Sequence, residues 1–393
     1  MPNKEKDLTK GYQRSFILFS SGILILSMLI GCDRSTGGLE AVDYTPLPGD
    51  DWQVSTPADQ GLDPMLVAEL YNNAAELETL YSLLVIKNGQ LIAEGYFNEG
   101  SVNQKHFMAS ATKSFTSALV GIALDQGCMS SLDQNMMEFF PEYTGQIDDP
   151  RKEQITIRDL LQMRSGFVWE ERTAPYMEAL FSSRGYWLPF IVEFPLASDP
   201  GTEFGYSNLT SHLLGVIVAR GCDTDLKSFA QEHLFSPIDA QVGDWDQDAD
   251  SYYYGAHGIP LSARDRAKFG LLYLNEGEYD GNQVISADWV KDSLQRYSEN
   301  INISGLIPGI NSRYGYYRDL GYGYQWWSAR AGNHQFNYAS GHGGNQIIVI
   351  DELDMVIVTD ADRLFGNFGG DAWEKEAAII EIVGKFINSL PSQ

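Results

Sequence analysis

The 393-residue chain reads as an α/β protein of the α+β type: one antiparallel sheet built from both chain ends, flanked by helices, with a helical region inserted between them. Three observations predict this. Strand and hairpin signals cluster near both ends, the middle from about 128 to 300 is helix-rich and irregular, and an amphipathic helix closes the chain.

The elements follow in order. Lys4, Lys6, Lys10 and Arg14 precede an apolar stretch over 16–30 that ends at Gly31-Cys32. About 15 apolar residues are too few to span a bilayer comfortably, so 1–32 reads as an export signal. Leu29-Ile30-Gly31-Cys32 resembles the bacterial lipobox, in which cleavage leaves a lipidated cysteine, here Cys32, as the new N-terminus. An uncleaved anchor is the alternative. Both place the body outside the cytoplasm, tethered to a membrane and facing the periplasm or cell exterior. Residues 33–50, rich in Gly, Pro and Asp, read as a flexible tether, and one domain is expected over 52–390.

Within that domain, Asp63-Pro64 opens a helix expected over 64–80. Strands over 81–86 and 90–97 flank Lys87-Asn88-Gly89, a hairpin signature. A helix is expected over 110–126 with Gly127 as its cap, and further helices over 155–163, 207–219 and 262–274. Strands are expected over 322–329, 336–340, 346–350 and 355–359, then a helix over 372–390.

Charge excludes one class of partner. With 27 Lys and Arg against 53 Asp and Glu, the net charge is −26, and the clustered cations that nucleic-acid phosphates require are missing. If Cys32 carries lipid, Cys128 and Cys222 remain in a compartment that permits disulfides. Each follows a helix that starts at a candidate catalytic motif. Two helices leaving one site on a similar heading would bring both cysteines to the same far end, as a disulfide or as two buried thiols.

Those motifs carry the chemistry. Ser110-Ala111-Thr112-Lys113 puts a hydroxyl and an amine three residues apart on one helix face, and a desolvated lysine can take a serine proton. Tyr206-Ser207-Asn208 opens the helix over 207–219. Ser340-Gly341-His342-Gly343-Gly344-Asn345 is a glycine-rich strand edge that lets backbone approach a substrate.

In this order the three motifs resemble those of the penicillin-recognising serine hydrolases, the superfamily of β-lactamases and penicillin-binding proteins, and within it the class C-like branch with its esterase, D-aminopeptidase and nylon-oligomer hydrolase relatives. The stretches 160–166, 262–270 and 321–327 resemble the same branch, and the likeness runs from about 55 to 388. It implies the β-lactamase/transpeptidase-like fold. It also implies roles: Ser110 as acylated nucleophile, Lys113 helping to take its proton, and Tyr206 as general base and proton donor to the leaving group. Asn208 would hold Lys113 and the substrate, and the N–H groups of Ser110 and Asn345 would form the oxyanion hole. For Asn345 the main chain is expected to matter more than the side chain.

Two departures bear on substrate. His342 stands where drug-hydrolysing relatives have lysine, and Gly343 where they have a threonine that helps bind the antibiotic carboxylate. An ester or small amide is therefore the expected substrate, cleaved through an acyl-enzyme without cofactor. A D,D-peptidase or β-lactamase acting on cell-wall peptides or β-lactams is the alternative, and an idle peptidoglycan-binding lipoprotein is the rival of another class. Trp169, Glu170 and Glu171 follow the Arg164-Ser165-Gly166 turn, a stretch that the resemblance puts at the border of the pocket, with Trp169 and Glu170 the expected contacts. His212 reads as a packed histidine, and His106, His233, His257 and His334 show no ligand spacing, so no metal is expected. The implied partners are a small ester, amide or peptide substrate and, through the lipid anchor, a membrane.

Overall fold

Asn88 and Gly89 both adopt left-handed backbone, with φ of 50° and 72°, as a two-residue hairpin turn that matches strand twist requires. They join β1 (Leu80–Lys87) to β2 (Gln90–Tyr96), with Lys87 opposite Gln90. The computed structural model describes residues 38–303, 315–364 and 370–392; the export segment with Cys32, and the first residues of the tether, lie outside the described residues. Among the described residues no helix is long and apolar enough to cross a membrane.

Five later strands complete the sheet: β3 (Arg318–Tyr322), β4 (Trp327–Ala331), β5 (His334–Gly341), β6 (Asn345–Ile350) and β7 (Met355–Ala361). Their order is β2-β1-β7-β6-β5-β4-β3, and every neighbour is antiparallel. The two chain ends meet at β1 and β7, where Leu84 faces Val358. This is the sheet the two terminal hairpins predict.

Both faces of the sheet are covered, which is why β6 and β7 read as continuous apolar runs and not as alternation. Leu83, Val85, Ile348 and Ile357 pack toward α1 (Pro64–Ala74) and the C-terminal helix, α7 (Gly370–Ser389) in the numbering used below. Leu84, Ile86, Ile347 and Val358, one step along each pleat, point into the inserted helical region. That region contains α2 (Thr112–Asp125), α3 (Ile157–Leu161), α4 (Ala174–Ser182), α5 (Asn208–Gly221) and α6 (Ala263–Leu274).

Helix starts follow their caps. Asp63, Ser207 and Ser262 each accept a main-chain N–H in the first turn of the helix they open. Two elements differ from expectation. The first helix ends at Ala74 and not near 80, because Asn98 Nδ2 donates to the carbonyls of Leu77 and Leu80 and holds that segment as a turn. The strand expected over 322–329 is broken between β3 and β4. At the break Gln325 has φ of 60° and a buried side chain that donates to the carbonyls of Leu160 and Leu161 and accepts from Ser211 Oγ. Long-range hydrogen bonds override a strand-like local pattern there.

Cys128 and Cys222 form a disulfide with a Cα–Cα distance of 4.9 Å. Helices α2 and α5 pack together, so the pair that starts at the first two motifs is tied at the opposite end.

Candidate active site

Ser110 sits in a single 3-10 turn, Ala109–Ala111, that feeds into α2. The residue before it, Ala109, has φ of 48°, a left-handed conformation that costs a non-glycine residue energy and turns Ser110 out at the helix start. Lys113 follows in the first turn and is completely buried. Its ammonium donates to Ser110 Oγ at 2.8 Å, Asn208 Oδ1 at 2.9 Å and the Ala256 carbonyl at 2.9 Å. Burial pushes Lys113 down to about 8, against the pull of the Glu171 and Glu170 charges.

The second motif is set by the start of α5. Asn208 is its first residue, which aims Oδ1 at Lys113. The Tyr206 ring centroid lies 5.0 Å from Lys113 Nζ, and the ring stacks on Trp327 at 5.7 Å. Glu170 lies beneath, fully buried. Its Oε1 accepts from Ser207 Oγ at 2.7 Å and Leu209 N at 3.2 Å, and its Oε2 accepts from Asn208 N at 3.0 Å. Burial raises the Glu170 carboxyl to about 7 even though these donors favour its charged form.

The third motif ends β5 and turns into β6. Pairing between β4 and β5 begins at Trp327 opposite Tyr338, so the last residues of β5 face the nucleophile turn instead. Contact there is backbone on backbone: a Cβ at Gly341 would sit 1.9 Å from the Met108 carbonyl oxygen. His342 Nδ1 is 2.9 Å from Glu376 Oε2 of α7, which also accepts Gly343 N at 3.0 Å.

A cavity of about 460 Å³, within the usual range for small-molecule sites, opens over this arrangement. Ser110, Asn208 and His342 line it, so the three motifs meet at one place. Glycines 343 and 344 form the turn beneath, with φ of 88° and 92°. Asn345 does not reach the wall. It begins β6, one strand in from β5, and its buried side chain bonds the carbonyls of His342 and Ala361, the Ala361 N–H and Arg266. The side chain, expected to matter less than the main chain, is thus a brace for the sheet.

Of the stretch expected at the pocket border, Trp169 and Glu170 turn away from the cavity and Glu171 lines it. Glu170 points under α5, Trp169 packs on Phe204 and under the Arg172 guanidinium, and Glu171 is the neighbour that faces the cavity. His212 is buried against Asp248 at 2.9 Å. The wall also includes Trp187, His257, Arg363 and Trp373, none of which the sequence places at the site. His257 adjoins Ala256, the Lys113 partner, and burial holds it neutral by pushing it down to about 3. A lone histidine, a tryptophan and an arginine beyond the last strand carry no spacing that would have flagged them. Among the described residues no three His, Cys, Asp or Glu side chains are grouped to hold a metal ion.

The sequence profile of the beta-lactamase family matches residues 81–379, most of the chain. The chain belongs to that family. This beta-lactamase-family protein is 25% identical over 294 residues to the 6-aminohexanoate-dimer hydrolase of Paenarthrobacter ureafaciens, covering 70% of the chain and 71% of the relative. Among solved structures it superposes on EstCE1, a hydrolase with promiscuous acyltransferase activity, with a TM-score of 0.62 at 14% identity, over 83% of this chain and all of that one. A penicillin-binding protein homolog from Caulobacter crescentus matches with a TM-score of 0.59 at 13% identity, over 88% of this chain and all of that one. At these identities the structural matches speak for the fold, the β-lactamase/transpeptidase-like fold. The family protein is a serine hydrolase.

Proposed function

We propose that this family member cleaves a small ester or amide through an acyl-enzyme on Ser110. One observation carries the reading: a fully buried Lys113, lowered to about 8, bonded directly to Ser110 Oγ. In its neutral form Lys113 accepts the Ser110 proton as Oγ bonds to the substrate carbonyl carbon. The resulting oxyanion is met by the Ser110 main-chain N–H and the turn of the third motif. Collapse breaks the bond to the alcohol or amine, which leaves with a proton passed through Tyr206. Water then hydrolyses the acyl ester and the proton returns.

The mostly apolar cavity wall, with Leu180, Trp187 and Trp373, suits an uncharged acyl chain or ring. The dimer hydrolase relative, named for an amide substrate, supports the small-amide half of the reading. Export as a lipoprotein through Cys32 belongs to the same proposal, and the Cys128–Cys222 disulfide is what an oxidising compartment allows. A fluorophosphonate probe should label the wild type at Ser110 and fail on Ser110→Ala; labelling that survives the substitution overturns the assignment. A panel of p-nitrophenyl esters, D-alanyl amides and nitrocefin ranks the substrates, and vigorous nitrocefin turnover would favour the β-lactamase alternative.

A further inference from the structure

Arg266 lies in the first turn of α6, and its side chain is completely buried. Its guanidinium reaches two places at once. Nη1 donates to Asn345 Oδ1 at 2.9 Å, and Nη2 donates to the His106 carbonyl at 2.7 Å. Nη2 also lies 3.0 Å from Asp360 Oδ1 of β7, a buried ion pair. The other Asp360 oxygen is 2.6 Å from His106 Nδ1 and accepts from Ser82 Oγ of β1 at 3.3 Å.

These partners belong to the two halves of the site. His106 and Phe107 pair with Leu261 and Pro260, just ahead of α6, and the Met108 N–H donates to the Ile259 carbonyl at 3.3 Å. The chain therefore enters the Ser110 turn from a short ladder beside Arg266. Asn345 follows the glycine pair of the third motif, and its Nδ2 donates to the His342 carbonyl at 2.9 Å. One planar fork thus fixes both the segment that leads into Ser110 and the residue that closes the third-motif turn.

Stability alone is a poor account of such a group. Burial disfavours the Arg266 charge, with Asp360 pulling the other way, and Nε has no hydrogen-bond partner among the described residues. Buried ion pairs of this kind are often replaceable by packed apolar side chains without loss of stability. Spacing is what an apolar replacement would not supply. An oxyanion needs main-chain donors from both halves at a fixed separation, and a misplacement of about 1 Å can cost about a hundredfold in rate.

We propose that Arg266 is a positioning residue for acyl transfer: by bonding the His106 carbonyl and Asn345 Oδ1 together, it sets the gap between the Ser110 N–H and the third-motif turn that receive the oxyanion. This rests on the hydrolase reading. Two variants test it. Arg266→Lys keeps a charge beside Asp360 but has no planar fork to span both acceptors. Arg266→Met combined with Asp360→Asn removes both buried charges together, so no lone carboxylate is left inside the sheet.

Per folded enzyme, kcat/KM for p-nitrophenyl pentanoate should fall by about thirtyfold or more in each variant. Phenylboronic acid forms a tetrahedral adduct on Ser110 that puts an oxygen where the oxyanion develops, and its inhibition constant should rise by about the same factor. That of pentanamide, a planar analogue of the ground state, should stay within about twofold. A purely structural role would lower the melting temperature and leave the ratio of the two inhibition constants at its wild-type value. An unchanged ratio in either folded variant overturns the proposal. A wild type that neither turns over nor takes the fluorophosphonate would instead strike the hydrolase reading, and this proposal with it.

Discussion

Glu170 Oε2 accepts the main-chain N–H of Asn208 at 3.0 Å, so a buried carboxylate sits at the positive end of α5 and holds the residue that in turn holds Lys113. Glutamine cannot replace it, because its amide nitrogen would face one of three donors. Glu170→Gln should lower kcat/KM about tenfold or more. The pH dependence gives a second readout. With its folded value raised to about 7, Glu170 binds a proton in the folded state that the unfolded chain has already released. Its contribution to stability is present below the unfolded carboxyl range and is lost as pH rises through about 7. Melting temperatures scanned from acid to neutral pH should show that fall in the wild type and a flatter profile in Glu170→Gln. Identical profiles would contradict the assignment.

Lys113 predicts the direction of the activity profile. The neutral amine is the competent form, and burial sets its value at about 8, so the rate of Ser110 acylation should rise with pH through that region and then level off. Lys113→Arg, which keeps its charge, should be inactive. A rate that falls across the same interval would mean that protonated Lys113 is the working form.

The disulfide should act on stability far more than on chemistry. It closes a long loop, 94 residues in sequence separation, at the end of α2 and α5 remote from Ser110. Paired replacement of Cys128 and Cys222 by serine should cost about 2–5 kcal/mol in denaturant unfolding. Ser110 should still be labelled at 25 °C. Loss of labelling in a folded double variant would show that the helix pair needs the bond to hold the site.

Gly341→Ala tests the backbone contact between β5 and the nucleophile turn. A methyl group there would collide with the Met108 carbonyl, and neither side is a flexible side chain that could yield. Labelling of Ser110 should drop by at least about tenfold with the sheet intact by circular dichroism. Wild-type labelling in Gly341→Ala would contradict the close approach.

Much of this molecule was legible because its signals are local. The Asn88-Gly89 turn, the Ser262 cap and the apolar runs of β6 and β7 each depend on neighbours in sequence, and Ser110 and Lys113 are joined by helical spacing alone. What was missed is set by distant parts of the chain. Glu170 and Glu171 differ only in which way a short 3-10 turn, Glu170–Arg172, points each side chain. Gln325 looks like a strand residue until its bonds to Leu160, Leu161 and Ser211 are seen. Glu376, which holds His342, is one acid among several on an amphipathic helix, and no spacing ties it to the third motif.

The central claim is a covalent bond to one oxygen. Acid-quenched reaction with p-nitrophenyl pentanoate, followed by intact mass and peptide mapping, should show the wild type gaining one pentanoyl group on Ser110 and Ser110→Ala gaining none. Sustained turnover with the acyl group on another residue, or with no adduct under single-turnover conditions, would contradict the account.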